Sequence, residues 1–530
     1  MLTWVNHLAL PLFAALALWA VLGKKRETDM PLSRRERALL WGLILCLTAL
    51  RLWRFGAVPA GMNQDGAMAA VDALALSQHG TDRFGTWLPA HFTAWGYGQM
   101  SVLLSYCMVP LIRLFGLSAV TARLPVLLFS LAGMAAAGVF LRATLSERAA
   151  LVGLLFLAVD PWHFMQSRWA LDCNLFPHCF LIGFALLYHG RRRPWALYLS
   201  MLPFALCMYS YGVSFLMVPL FLVLAVIVLR VPFPRVLGCA ALYLALSWPI
   251  YGTMLINAMG WDTLALPFVT LPAFPQSVRA GDILFFSGDI GAQLGQNLRS
   301  LWRVGFLQAP DLIWNAIDGF GTVYLCSLPL LVYGLGLTIR DAGQGRDGAR
   351  LLLVYWLCSL FLGLTVNNVN VNRLNILFYA NILLLVRGME GLLAFRRETA
   401  LALLGCYGLL AGLFFVQYFG PWAREMEGVF YKDFLDAVRY AGELEAERYC
   451  ITPDTQYTGS RAVSEILTLY ALQIDAEDFQ SEDYPRAFQY RNLSEPPTSG
   501  TVYVTPGGVP IPEGWEAEGF GRYQVVYFKS

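Results

Sequence analysis

Charge is scarce in this chain. Charged side chains make up 14% of its 530 residues, against roughly 25% in a typical soluble domain. With a formal net charge of +2, and no basic block, nothing points to nucleic acid as a partner. Familiar catalytic patterns are missing as well. There is no HExxH, no GxSxG and no Gly-rich phosphate loop, and no DxD triplet stands in 56–97 or 257–319. These absences argue against a zincin, an α/β-hydrolase elbow and a P-loop enzyme. Paired cysteines are lacking too. Of ten cysteines, Cys46, Cys107, Cys207, Cys239, Cys326, Cys358 and Cys406 lie in apolar runs, where a thiol behaves as a small hydrophobe. Cys450 stands alone in the terminal region, and Cys173 and Cys179 are not spaced for zinc.

What fills the chain instead is hydrocarbon. Hydrophobic residues reach 57% and the mean hydropathy is +0.53. They come in runs of about 17 to 25 residues, enough to cross roughly 30 Å of bilayer. The runs predict spans at 4–22, 38–55, 98–116, 122–141, 149–162, 170–189, 195–209, 212–229, 236–256, 320–339, 350–366, 373–388 and 399–419. The first, Leu8 to Leu22, has no basic residue before it and no cleavage-like exit, so it reads as a retained helix. The sequence therefore predicts a mainly α, polytopic bundle of about 12–13 spans.

Arginines set the expected orientation. Lys24 to Arg37, Arg191-Arg192-Arg193, Arg340 with Arg346 and Arg350, and Arg387 with Arg396 and Arg397 read as cytoplasmic. Loops 56–97 and 257–319, the Asn-rich stretch Asn367 to Asn372 and everything after Gly420 then lie outside. The count conflicts at one place: four runs separate the outer loop 56–97 from the inner triplet at 191–193, where an odd number is needed. One of them is broken, re-entrant or fused. Residues 66–79 have helical apolar spacing and are expected to lie flat on the membrane surface. After Trp422 the composition turns soluble, with a helix at Phe434–Glu447 and strands at Gly500–Thr505 and Tyr523–Phe528. Three parts are expected: 1–37 as an added span with a basic loop, 38–420 as the membrane domain, and 421–530 as an extracytoplasmic α/β domain.

Polar residues inside such surroundings are costly and mark candidate chemistry. Asn63-Gln64-Asp65-Gly66 opens the first outer loop. Asp65 reads either as a general base that takes a proton from an acceptor hydroxyl or as a solvated turn residue. Asp160-Pro161-Trp162-His163, then Ser167-Arg168 and Asp172, form a second interruption. Arg168 suits a phosphate because of its forked donors; the alternative is a loop whose charges pair among themselves. Arg123 stands at a helix start as an anchor or a carboxylate partner. Asn367 to Arg373, including Asn370 and Asn372, suits hydrogen bonding to a sugar or lipid phosphate, or simple capping.

In order and spacing these stretches resemble the GT-C membrane glycosyltransferases. The matching pieces are Asn63 to Gly66 after a span, Phe115-Gly116 to Arg123-Leu124-Pro125, Asp160 to Arg168, and Val371 to Phe378. Together they look like the bacterial branch grouped with the dolichyl-phosphate-mannose protein mannosyltransferases and aminoarabinose transferases (glycosyltransferase family 39 and relatives). The resemblance covers roughly 38–420. It implies a polyprenyl-phosphate-linked sugar as donor, transfer on the outer face of a bacterial plasma membrane, and Asp65 as catalytic base. The mannosyltransferases carry two adjacent acids where this chain has Asp65 and Gly66. Arg168, Arg373 and Arg123 are then candidate contacts for the donor phosphate. Asn63, Gln64, Asp160, His163, Asp172, Asn370 and Asn372 are candidate pocket residues. No cofactor follows from the pattern, and a divalent metal has no motif here. The acceptor would be a lipid, protein or polymer. Two other readings stay open: a transporter or flippase of lipid-linked saccharides, which would be expected to show paired broken helices, and an envelope-assembly scaffold.

Overall fold

A computed structural model describes residues 32–528 except 97, 275–282, 310, 456–458 and 494–496, together with 11, 14 and 15. The predicted first span and the Lys24-Lys25-Arg26 part of the basic loop lie outside the described residues. Elsewhere the apolar runs fold as helices. We number those that matter here α1 Arg34–Ala49, α2 Gln64–Gln78, α3 Leu103–Phe115, α4 Ala119–Thr144, α5 Glu147–Val159 and α6 Phe176–Gly190. Next come α7 Pro194–Met208, α8 Ser214–Val228, α9 Phe233–Met259, α10 Ile290–Leu301, α11 Leu328–Gly343 and α12 Asp347–Thr365. The series closes with α13 Asn375–Phe395, α14 Arg397–Gln417, α15 Lys432–Glu443 and α16 Arg461–Leu472. Among the described residues six helices are long and apolar enough to cross a membrane, and α3, α7 and α8 are shorter apolar ones. This is a multi-pass membrane protein.

Ion pairs gather the basic segments at one end of the bundle. Arg37 bonds Glu147 at 2.9 Å, Arg397 reaches Glu36 at 2.5 Å, Arg191 pairs with Asp347, and Arg387 holds Asp341 at 2.8 Å. The starts of α1, α5, α12 and α14 and the ends of α6 and α11 therefore share one face, as the positive-inside pattern requires.

The parity conflict is resolved by α3. It runs alongside α2, with Ser105 Oγ donating to the Ala69 carbonyl (2.8 Å) and Arg113 Nε to that of Ser77 (3.0 Å). Its start is tied to the outer turn after α7, Leu103 N to Tyr209 O at 2.9 Å. Its far flank, Leu117, meets Gln473 of the C-terminal region. Both ends thus lie at the end opposite the arginines. Thirteen residues make a helix of only about 20 Å, so the expected span at 98–116 is instead a buttress of the outer layer.

The expected surface helix 66–79 also behaves differently. Its run of alanines permits close approach on every side, and ten of the fifteen residues of α2 are buried. It packs against α3 and α16 rather than floating on lipid. Past α14 a mixed five-stranded sheet forms, numbered β1 Arg448–Ile451, β2 Phe488–Tyr490, β3 Thr501–Pro506, β4 Trp515–Phe520 and β5 Tyr523–Phe528. Its order is β2-β1-β3-β5-β4, with β1–β2 and β1–β3 parallel and the rest antiparallel. α15 packs on this sheet and on α16.

Candidate active site

Met62 begins the site by donating its N–H to the Phe430 carbonyl at 2.8 Å. Gly61 makes that approach possible: at φ +85°, a Cβ there would sit 2.1 Å from Phe430 O. Asn63 then caps α2, its Oδ1 accepting from Gly66 N at 3.1 Å. Asp65 falls in the first turn, where the helix dipole favours a carboxylate. Its Oδ1 accepts a 2.6 Å hydrogen bond from Trp95 Nε1. Gly66 cannot be traded for a second acid without rearrangement. A Cβ there would lie 2.7 Å from Asn63 Oδ1 and 2.8 Å from Ala170 O.

Asn63, Gln64 and Asp65 line a cleft of about 370 Å³ with Trp169, Leu171, Trp314, Asn372, Val429 and Phe430. The cleft joins five distant parts of the chain: the start of α2, the segment after α5, the segment before α11, the turn before α13, and residues 429–430 after α14. Asn372 Oδ1 accepts from Asn315, and Val371 N donates to Asp311 at 3.1 Å, which fixes the Asn-rich turn. Burial raises the pKa of the Asp311 carboxyl, against the Val371 N–H and Arg303 that lower it. Arg373 follows immediately, half-buried, with Nη1 on the Asn367 carbonyl at 2.5 Å and its own N–H on Asn370 Oδ1.

Other predicted site residues go elsewhere. Arg168 is fully buried, and its donors reach the carbonyls of Arg51, Trp53 (2.8 Å), Val58 (3.2 Å) and Arg54 (3.3 Å), with Nε on Tyr418 Oη at 3.1 Å. Arg123, also fully buried, donates to the carbonyls of Gly56, Pro59 and Gly61 at 2.6–2.9 Å. Neither guanidinium lines the cleft. Both arginines staple the 51–61 segment that leads into Asp65. Buried carbonyls need donors, and here side chains supply them.

Asp160 and His163 form a separate buried cluster. Asp160 Oδ1 accepts from His163 N at 2.9 Å. The His163 ring meets Arg51 Nη2 (3.0 Å) and Tyr379 Oη (2.8 Å), and Tyr379 also meets His178. This network braces the break between α5 and α6 and is not part of the cleft wall. Asp172 is buried as well, its Oδ1 accepting from Cys173 N at 2.7 Å. Sequence reasoning missed Trp95, Trp169, Leu171, Val429 and Phe430, and read Trp314 only as an interfacial aromatic. Nothing in their spacing ties them to Asp65. Among the described residues no three His, Cys, Asp or Glu side chains gather to hold a metal ion.

No protein-family model matches the sequence, and no curated protein matches it. Solved structures do. ArnT from Cupriavidus metallidurans in the apo state aligns with 92% of this chain and 97% of its own, at a TM-score of 0.58 and 13% identity. The same protein bound to undecaprenyl phosphate aligns over the same shares at 0.54 and 13%. The fold is GT-C. This GT-C architecture matches the expectation drawn from the four ordered motifs, and it includes the α/β region after α14.

Proposed function

We propose that this chain is an integral-membrane glycosyltransferase that moves a sugar from a polyprenyl-phosphate-linked donor to an acceptor hydroxyl at the outer face of a bacterial plasma membrane. Asp65 acts as the base. The single observation behind this reading is the carboxylate of Asp65, oriented by Trp95 and set in a cleft with Asn63, Gln64, Asn372 and two indoles. Amide side chains suit sugar hydroxyls, and the indoles supply apolar faces for ring C–H groups. ArnT, which shares the fold, has been seen with undecaprenyl phosphate, and this supports a lipid-linked donor here.

In the proposed step the acceptor oxygen gives its proton to Asp65 and attacks the anomeric carbon. The bond from that carbon to the phosphate oxygen breaks, the electron pair leaves with the lipid phosphate, and the sugar inverts. A single base suffices for such a displacement. Arg373, next in sequence to the cleft residue Asn372, is our candidate for the cation that offsets the departing phosphate. The C-terminal α/β region, read as extracytoplasmic, forms part of the cleft rim and helps dock the acceptor.

Asp65→Asn tests the reading. Transfer of sugar from a polyprenyl-phosphate donor by the purified variant should fall about 10²–10⁴-fold while expression and thermal stability hold. Undiminished transfer would remove Asp65 as base. If the wild-type protein moves lipid-linked saccharide across vesicles without consuming it, the flippase reading replaces this one.

A further inference from the structure

A second cavity lies away from the cleft. It spans about 780 Å³, open space at its mouth included, at the opposite, arginine-rich end, between α4, α6, α11, α12 and α13. Its walls change character along the helix axes. Thr144, Asp341 and Asp347 stand at or near helix ends, and Arg387 of α13 reaches the same level through its pair with Asp341. Phe140, Leu352 and Leu383 line the same cavity about one turn deeper, or roughly 6 Å. A space polar at the membrane face and apolar one turn inward fits an amphiphile.

Its polar end favours an anion. Arg191, Arg346 and Arg387 line it against Asp341 and Asp347, and Arg340 stands 3.6 Å from Asp341. Arg387 is fixed by Asp341 and Glu390. Arg346 is 57% exposed, however, with Nη1 only 3.3 Å from Asp341 Oδ1, and the Arg191 Nε is buried without a hydrogen-bond partner. The start of α12 faces the same space through Gly348 and Ala349 and has no side-chain cap, so its first N–H groups and dipole add to the attraction. Gly345, at φ +85°, leaves the turn open, its nearest neighbour to an added Cβ being Arg350 at 3.8 Å.

We propose that this cavity binds the phosphate group of an anionic phospholipid from the leaflet at the arginine-rich end. The acyl chains run along the apolar turn above it. Basic pockets between membrane helices on that side are suited to such head groups.

The full chain in detergent is titrated with phosphatidylglycerol or phosphatidylcholine, and bound lipid is read by native mass spectrometry. Phosphatidylglycerol should bind more tightly, and Arg346→Glu should weaken it by about tenfold. Arg142→Glu, an exposed arginine of the same face outside the cavity, should leave it unchanged. Arg346→Gln, which removes the charge without reversing it, should give a smaller loss. Soluble glycerol 3-phosphate should not displace the lipid at equal concentration; if it does, the site takes a free phosphate ester and the lipid occupant is overturned. Equal binding of the two lipids, or equal losses in Arg346→Glu and Arg142→Glu, would overturn the site itself.

Discussion

Replacing Arg168 separates a structural staple from a phosphate ligand. Its guanidinium serves four carbonyls between residues 51 and 58, and Tyr418. Alanine would leave those buried acceptors without donors. Counting only the two firmest bonds, at about 1.5–3 kcal/mol for a charged donor, gives a loss of about 3–6 kcal/mol. That is a large part of the roughly 5–15 kcal/mol that holds a typical fold. Lysine keeps the charge but not the fork, and should recover only part of the loss. The assay is thermal unfolding of the purified protein in detergent, run beside donor binding. Arg168→Ala should melt several degrees lower, with Asp65-dependent transfer lost together with the folded fraction. A variant that melts like the wild type but has selectively lost affinity for the donor would refute the staple and return Arg168 to the phosphate.

Further outcomes follow from the cleft and its surroundings. Trp95→Phe removes the donor to Asp65 and should lower kcat roughly ten- to hundredfold with little change in KM, the loss expected for a hydrogen bond to a charged group. Gly66→Ala forces contact with Ala170 O and Asn63 Oδ1 and should cost about 1–3 kcal/mol, read as a lower melting midpoint. His79 Nε2 pairs with Asp475 at 3.0 Å, and that hydrogen bond raises the His79 pKa above its ordinary value. The contact therefore contributes its stability below about pH 6.5 and loses it as pH climbs through the raised value. Hydrogen exchange of the 461–480 backbone, corrected for intrinsic rates, should be slower at pH 5.5 than at pH 8.5; no difference would remove the contact as a pH-sensitive link.

Much of the bundle was readable because apolar length is a local property. The run at 122–141, for instance, is α4 lengthened at both ends, and that at 373–388 is α13, which starts two residues later and runs on to Phe395. The run at 98–116 misled for the same reason. Its composition fits lipid, but its partner is α2, and only tertiary structure reveals that. That Asp65 is a candidate was legible, although the Asn and Gly beside it fit a solvated turn equally well. The fate of Arg123 and Arg168 was not. An arginine that serves carbonyls looks, in sequence, identical to one that serves a phosphate. In the C-terminal region β3 and β5 showed alternation and were expected, whereas β1 and β2 are too short to announce themselves.

The bond between Met62 N and Phe430 O has a biosynthetic consequence. More than two-thirds of the chain is synthesised between those two positions, so the carboxylate-bearing turn leaves the ribosome long before its opposing wall exists. The nascent protein consequently inserts with this cleft unfinished, and its wall is complete only when residues 429 and 430 arrive to close it.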